Sequence, residues 1–272
     1  MVFPNLLSII LSILTVSSFY PLIESLWLKK DSSGISTYYV LFNLIAATEQ
    51  FTIVFFFMVN NTAGSSVFVH TPISVGDWLN FTQMTVSYVL FLIYFALTLH
   101  YLPDNRAHKY TAVAIYTVFL LISVIPELID VITGGPHSNN SDRDFGLALF
   151  SVPHVMYINP VVTLLIIISF IFQAHKSWKE SSACMSIRDL AIQALVFALL
   201  GVSWLLRLEW PPLNMPSFYQ SRLAEVFCLV AWVPVDHFLF ALGQALLCFV
   251  IWRRGVNAAH GTGETEPLLG GP

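Results

Sequence analysis

Long runs of apolar residues alternate along the chain with short polar stretches. A helix needs about 20 apolar residues to cross the hydrocarbon core of a bilayer, and seven runs reach that length. Because every backbone polar group in lipid must be satisfied within its own segment, the runs predict helices rather than open strands. The predicted segments are 4–28, 37–59, 80–102, 110–133, 145–173, 188–207 and 224–252.

The composition indicates that lipid is the solvent of this chain. Hydrophobic residues make up 56% and charged residues 10% of the 272 residues, whereas a soluble domain has about 25% charged residues. The sequence therefore predicts an all-α, polytopic membrane protein. It contains no basic domain, so nucleic acid is not an expected partner. It shows no metal or phosphate motif, so neither a metal nor a cofactor is expected.

The distribution of Lys and Arg predicts the orientation. If the N-terminus is lumenal, nine basic residues lie on the cytosolic side and three on the other, as the positive-inside rule requires. The nine are Lys29, Lys30, Arg106, Lys109, Lys176, Lys179, Arg188, Arg253 and Arg254. The C-terminus is then cytosolic. The first segment lacks the basic n-region of a signal peptide and is expected to remain as a helix.

Three N-x-S/T sequons fall on the lumenal side of this arrangement, which agrees with the charge distribution. They begin at Asn60, Asn80 and Asn139. Asn80 lies too close to a predicted helix to be a good acceptor. Asn60 and Asn139 are therefore the predicted glycosylation sites.

A short internal repeat links the ends of the first and fifth segments. One copy lies near residues 20–36 and the other near 172–186. Trp27 aligns with Trp178, and each copy continues as a basic loop of small polar residues. Because the copies lie four helices apart, three helices, a linker helix and three further helices form a 3+1+3 parallel repeat, as in many transporters.

This repeat predicts the organisation of the chain. The first three-helix unit covers 1–103, linker helix 4 covers 104–140, and the second three-helix unit covers 141–254. Residues 255–272 are polar and glycine-rich, and are expected to form a disordered cytosolic tail.

The two copies resemble the PQ-loop repeat family, which includes lysosomal amino-acid exporters and is related to the SWEET sugar transporters. The matching residues are Pro21, Lys29, Lys30, Ser32, Gly34, Ile35 and Ser36 in the first copy, and Gln173, Lys176, Lys179, Ser182, Met185 and Ser186 in the second. Three positions depart from the family pattern. Leu22 replaces the glutamine of the first copy, Phe172 replaces the proline of the second, and Cys184 replaces its glycine.

The resemblance implies a transporter of a small solute in which prolines act as hinges. Pro21, Pro160 and Pro234 are the candidate hinges, since an interior proline frees a carbonyl and permits a bend. An amino acid or a similar metabolite is the implied cargo. The resemblance further implies a vacuolar or lysosomal membrane.

Ionisable and amide side chains inside the predicted helices are the candidate functional residues, because such groups are unfavourable at bilayer depth. Glu49, Asp236 and His237 are candidates for proton coupling. We expect the two carboxylates to face one shared central cavity. The candidates for substrate binding are Asn43, Gln50, Asn159 and Trp204. The alternative for all of them is that they only hydrogen-bond one helix to another.

The tail contains Glu264, Leu268 and Leu269 in the order of an acidic dileucine signal. Clathrin adaptors read such signals on cytosolic tails and direct cargo to lysosomes or vacuoles. The tail therefore predicts an adaptor as a partner, besides the lipid and a small-molecule substrate.

Two other functions remain open from the sequence. A membrane enzyme of the terpene-cyclase type could use Glu49 and Asp236 as a general acid pair. A sorting receptor has the same helix plan, but it holds a carboxylate with basic residues, and here the deep groups are mostly acidic.

Overall fold

The computed structural model describes residues 5–60, 69–70, 72–102, 106–133, 148–179, 185–207 and 231–263. These residues form helices joined by short connections and contain no strand. Seven helices are long and apolar enough to cross a membrane, which confirms the predicted fold class. They are α1 (Asn5–Lys29), α2 (Thr37–Asn60), α3 (Val75–His100), α4 (Arg106–Thr133), α5 (Ala148–Lys179), α6 (Ile187–Arg207) and α7 (Trp232–Gly263).

Helix α3 begins before the predicted residue 80 because a capping box starts it. The Ser74 hydroxyl accepts a hydrogen bond from the amide of Asp77, and the Asp77 carboxylate accepts one from the amide of Ser74. These bonds satisfy two donors that a helix N-terminus otherwise leaves unpaired. The helix thus includes a polar turn that the apolar pattern did not mark.

Helix α7 continues to Gly263, well beyond the end predicted from its apolar run. The expectation that the disordered tail begins at residue 255 is therefore wrong for 255–263, which are helical. The predicted sorting residues Glu264, Leu268 and Leu269 lie outside the described residues.

The helices pack as two units with the same internal order. In the first unit, α3 packs against both α1 and α2, and in the second, α7 packs against both α5 and α6. The units meet through α2 against α5 and α1 against α6, while α4 packs mainly on α2. This two-fold relation is the arrangement that a 3+1+3 parallel repeat predicts.

The bundle is apolar outside and partly polar inside. Large apolar side chains face outward, as shown by Leu6, Leu195 and Ile132, which are 68%, 62% and 80% exposed. Buried polar side chains include Asn43, Gln50, Glu49, Asp236 and Gln244. The apolar outer surface is suited to contact with lipid. The buried polar side chains are unfavourable at bilayer depth, so they are candidates for a function or for pairing between helices.

A close approach of α5 and α7 depends on Gly243. A Cβ at this position would overlap the ring of Phe170, which packs edge-on against Phe240. Small residues at helix contacts let backbones approach in this way.

Replacing Gly243 with alanine is expected to destabilise the bundle by about 1–3 kcal/mol, the usual cost of overpacking. This exceeds the roughly 0.5–1 kcal/mol that alanine gains over glycine in a helix. The measurement is the melting temperature of the detergent-solubilised protein. Gly255→Ala is the matched control, since no atom lies within 4 Å of a Cβ there. A Gly243→Ala protein that melts at or above the wild-type temperature would contradict the close packing.

Candidate functional site: a polar cavity between the two units

A small cavity lies at the centre of the bundle, between the two three-helix units. Its walls come from α2 and α3 of the first unit and from α5, α6 and α7 of the second. The lining residues are Asn43, Ala46, Ala47, Gln50, Ser87, Phe91, Ile166, Phe197, Asp236, His237 and Phe240. The cavity therefore combines apolar walls with a few polar groups, as small-molecule sites do.

Asp236 is the carboxyl group of the cavity, and both units hold it. Its Oδ1 accepts a hydrogen bond of 2.7 Å from the Thr163 hydroxyl of α5. Its Oδ2 accepts one of 3.1 Å from Nε2 of Gln50 on α2. The Gln50–Asp236 bond thus joins the first unit to the second at the cavity wall.

Asn43 makes a second polar link between the units. Its Nδ2 donates to the backbone carbonyl of Tyr39 at 2.8 Å and to the Ser169 hydroxyl of α5 at 2.9 Å. Its Oδ1 has no hydrogen-bond partner among the described residues, although it is buried. Asn43 therefore lines the cavity, and its Oδ1 is an acceptor that a bound solute could use.

His237 lines the same cavity as its neighbour Asp236, although adjacent helical residues point about 100° apart. Its Nδ1 lies 2.7 Å from the carbonyl oxygen of Val233, and its ring lies nearly parallel to that of Phe197. A carbonyl only accepts, so Nδ1 carries the proton, and Nε2 of a neutral ring is an acceptor.

Glu49 does not line this cavity, so the expectation that Glu49 and Asp236 share one cavity is wrong. The Glu49 side chain points to α5, where its Oε1 is 2.8 Å from Nδ1 of His154. Glu49 and Gln50 are consecutive residues on a helix and therefore face different neighbours. His154 was not predicted from the sequence, where its only signal is its position between two prolines, Pro153 and Pro160.

The other two candidates for substrate binding lie away from the cavity. Asn159 is fully buried in α5, and neither amide atom has a hydrogen-bond partner among the described residues. Trp204 packs in a separate apolar cluster with Trp232 and Met84, and the guanidinium of Arg207 lies 5.1 Å from its ring centre. Of the four candidates, Asn43 and Gln50 are the two that line the cavity.

The candidate hinge prolines occupy different environments. Pro21 lies inside α1, which continues through it. Pro160 follows a π-helical stretch at His154–Ile158, where the helix accommodates an irregular turn. Pro234 lies near the start of the described part of α7, directly after the π-helical residue Ala231.

Polar contacts join the two units beyond the cavity, toward the end of the bundle that carries the α1–α2 loop (the α1–α2 end). Oε1 of Gln173 on α5 accepts a 2.7 Å hydrogen bond from the amide of Ser36, and its Nε2 donates to the carbonyl of Gly34 at 3.0 Å. On α7, Nε2 of Gln244 donates to the Tyr39 hydroxyl at 2.8 Å. These contacts hold the two units together at the α1–α2 end.

A different set of contacts joins the units at the opposite end, which carries the start of α3 (the α2–α3 end). Arg207 of α6 donates to Oδ1 of Asn80 and Oε1 of Gln83 on α3, at 2.8 and 2.6 Å. An apolar cluster that includes Trp204 and Trp232 packs beside it. The sequence predicts only that Arg207 is one of the three basic residues on the lumenal side, and its bonds to α3 were not predicted.

Of the two predicted glycosylation sites, the structure describes Asn60. Asn60 is the last residue of α2, and its Nδ2 donates to Glu127 of α4 at 3.3 Å. Asn139 lies outside the described residues. Asn80 is bonded to Arg207 within the bundle, which agrees with its exclusion as an acceptor.

Comparison with models of known protein families, with curated proteins and with solved structures found no significant match. The resemblance to the PQ-loop repeat family therefore rests on the sequence copies alone.

Proposed function

We propose that this protein is a membrane transporter that moves a small solute carrying an amino group. The observation that carries the proposal is the central cavity, whose carboxylate Asp236 is held by Gln50 of one unit and Thr163 of the other. In a transporter built from two repeats, the substrate site lies between the repeats, near the middle of the membrane.

The two sets of contacts that flank the cavity support alternating access. Gln173 and Gln244 join the units at the α1–α2 end, and Arg207 joins them at the α2–α3 end. If the units rock about the cavity, each set can open while the other stays closed. The cavity then faces one side of the membrane at a time.

The lining of the cavity suggests the class of cargo. Its described lining residues include the carboxylate Asp236 and no Lys or Arg. A carboxylate in a poorly solvated site attracts a cationic group, since a buried charge needs a partner. Asn43 and His237 add hydrogen-bonding atoms at the same walls. This pattern fits an amino acid or a related amine.

Proton coupling belongs to the same proposal. Glu49, Asp236 and His237 are its candidates, because each is an ionisable group buried inside the bundle. Ionisable residues within membrane helices commonly form proton pathways in transporters.

Membership of the PQ-loop repeat family is also part of the proposal. Gln173 of the second copy bonds the loop that contains Gly34 and Ser36 of the first copy. The aligned serines Ser36 and Ser186 have the same local role, since each carbonyl accepts a hydrogen bond from the residue four positions on. These contacts support a structural relation between the copies.

The two alternative functions fit the cavity less well. A terpene cyclase needs a pocket that is apolar throughout, whereas this one contains Asp236, Gln50 and Asn43. Glu49 and Asp236 also face different surroundings, which weakens them as one acid pair. A receptor for carboxylates would be expected to hold its ligand with basic residues.

We also propose a vacuolar or lysosomal membrane, with the N-terminus lumenal and the C-terminus cytosolic. A clathrin adaptor would then bind the tail through Glu264, Leu268 and Leu269. Replacing both leucines with alanine is expected to move the protein to the plasma membrane, because the adaptor pocket needs both side chains. Fluorescence microscopy of a tagged protein measures this, with Pro267→Ala as the control. Unchanged vacuolar or lysosomal staining would show that the signal is not used.

The direct test of transport uses the purified protein in sealed liposomes. Uptake of radiolabelled amino acids and of radiolabelled sugars is measured in parallel, with and without a pH gradient. We expect uptake of at least one amino acid above that of protein-free liposomes, with faster uptake when the gradient is present. If no amino acid enters faster than in protein-free liposomes, the proposed function is wrong, even where a sugar enters.

A further inference from the structure

A second buried polar site lies between α2 and α5, outside the central cavity. Nδ1 of His154 is 2.8 Å from Oε1 of Glu49, and the two side chains are 5% and 0% exposed. Ser123 of α4 lies next to the same carboxylate. Among the described residues, Oε2 of Glu49 makes no hydrogen bond. The site is thus a buried ionisable pair in which one carboxylate oxygen accepts no hydrogen bond from the described residues.

The backbone around this pair is irregular. His154 begins the π-helical stretch His154–Ile158, between Pro153 and Pro160. Single π-helical turns in α-helices occur frequently at functional sites. Simple adhesion between α2 and α5 does not require an ionisable pair, because Asn43 and Ser169 already join these helices with neutral groups.

The number of protons in the site determines its charge. A neutral imidazole already carries one N–H proton. The pair of histidine and carboxylate is neutral when it holds one further proton, whichever of the two groups carries it. Without that proton the site is negative, and with a second proton it is positive. A net charge in a buried site is strongly unfavourable, so either change favours an arrangement in which water reaches the pair.

This pair also crosses the boundary between the two units, since Glu49 belongs to α2 and His154 to α5. We propose that Glu49 and His154 form a proton-binding site, separate from the cavity, that couples the number of bound protons to the relative position of the two units. The proposal rests on the proposed function and assigns its proton coupling. Gln50, the next residue on α2, carries the link to Asp236.

Other ionisable groups face this part of the bundle, so a pH response must be assigned by substitution. Each of them makes contacts of its own. They are Tyr88 on α3, Tyr116, Glu127 and Asp130 on α4, and Asp236 and His237 on α7.

The first test measures proton binding without transport, on the full-length protein in lipid nanodiscs. Infrared spectroscopy follows the carbonyl stretch of protonated carboxyl groups as the pH changes. We expect Glu49→Gln to remove one titrating band and His154→Gln to move that band to a different pH. Asp236→Asn is the control, since it should leave the Glu49 band in place. Identical titrations of the wild type and Glu49→Gln would overturn the proposal.

A glutamine at position 49 can still accept a hydrogen bond from His154, so we expect Glu49→Gln to fold. If it does not, Glu49→Gln combined with His154→Gln provides the same test with two amides. The monodispersity of each variant on size-exclusion chromatography shows that it is folded.

The second test measures uptake of an equimolar mixture of radiolabelled amino acids into liposomes. In Glu49→Gln and His154→Gln, uptake with a pH gradient should fall to the rate without one. Exchange of labelled for unlabelled amino acids should remain measurable, because it moves no net proton. The exposed Glu24→Gln is the control that keeps the full gradient response.

The outcomes separate this proposal from the proposed function. If the Glu49 band titrates but no amino acid enters liposomes with wild-type protein, the proton site stands and the function is wrong. If amino acids enter and Glu49→Gln responds to the gradient as the wild type does, the proton site is wrong and the function stands.

Discussion

Replacing Asp236 with asparagine is expected to reduce amino-acid uptake about 100-fold, both with and without a pH gradient. The substitution removes the charge that would pair with the amino group of the cargo. Truncating one partner of a buried charge pair costs about 2–5 kcal/mol, and about 2.7 kcal/mol corresponds to 100-fold. The measurement is the initial rate of radiolabelled amino-acid uptake into liposomes.

This variant should fold, because its neighbours can adapt to an amide. The Thr163 hydroxyl can still donate to an oxygen at position 236, and the amide of Gln50 can turn so that its oxygen accepts. Thr163→Val is the matched control, since it removes one donor to the carboxylate but keeps the charge. We expect it to reduce uptake by less, about tenfold, since one hydrogen bond to a charged group at the low end of its range is worth about 1.5 kcal/mol.

A different result would change the interpretation of the cavity. If Asp236→Asn transports at the wild-type rate, the carboxylate neither binds cargo nor carries protons. Its bonds to Gln50 and Thr163 would then only hold the helices together.

The second large effect is expected from Gln173→Leu, which opens the α1–α2 end. Leucine at this position reproduces what the first sequence copy carries at Leu22. The change leaves the amide of Ser36 and the carbonyl of Gly34 without their partner whenever this end is closed. Each unsatisfied buried group costs about 1–3 kcal/mol, while in an open state water can bond both.

The closed state should therefore lose at least about 1.4 kcal/mol relative to the open state, which shifts the population about tenfold. A cysteine at Ala47, which lines the cavity, reports this shift through its labelling rate with a membrane-impermeant maleimide. The native Cys184, Cys228 and Cys248 are first replaced with alanine. We expect labelling from the α1–α2 end to be about tenfold faster in Gln173→Leu.

Ser177→Ala is the control for this variant. Ser177 accepts a hydrogen bond from Nε2 of Gln173 but does not belong to the α1–α2 loop. Its loss should leave the labelling rate near that of the parent protein. Equal labelling of Gln173→Leu and the parent would show that Gln173 does not hold this end closed.

The membrane-spanning architecture of this protein is determined by its sequence alone. Lipid contact selects long apolar helices, so the runs that become α1, α2 and α6 could be located within a few residues. The ends of the helices are not determined by the apolar pattern, because they depend on local polar bonds. The capping box at Ser74 starts α3 early, and α7 continues past its apolar run.

Which buried polar residues meet was decided only by tertiary structure. Asn43, Gln50 and Asp236 were recognisable from their residue type and depth, but depth does not specify which neighbouring helix a side chain faces. Rotation by a single residue on α2 separates Gln50, bonded to Asp236, from Glu49, bonded to His154. The partners His154, Thr163 and Arg207 lie far away in sequence, so only the packing of the two units brings them to these sites.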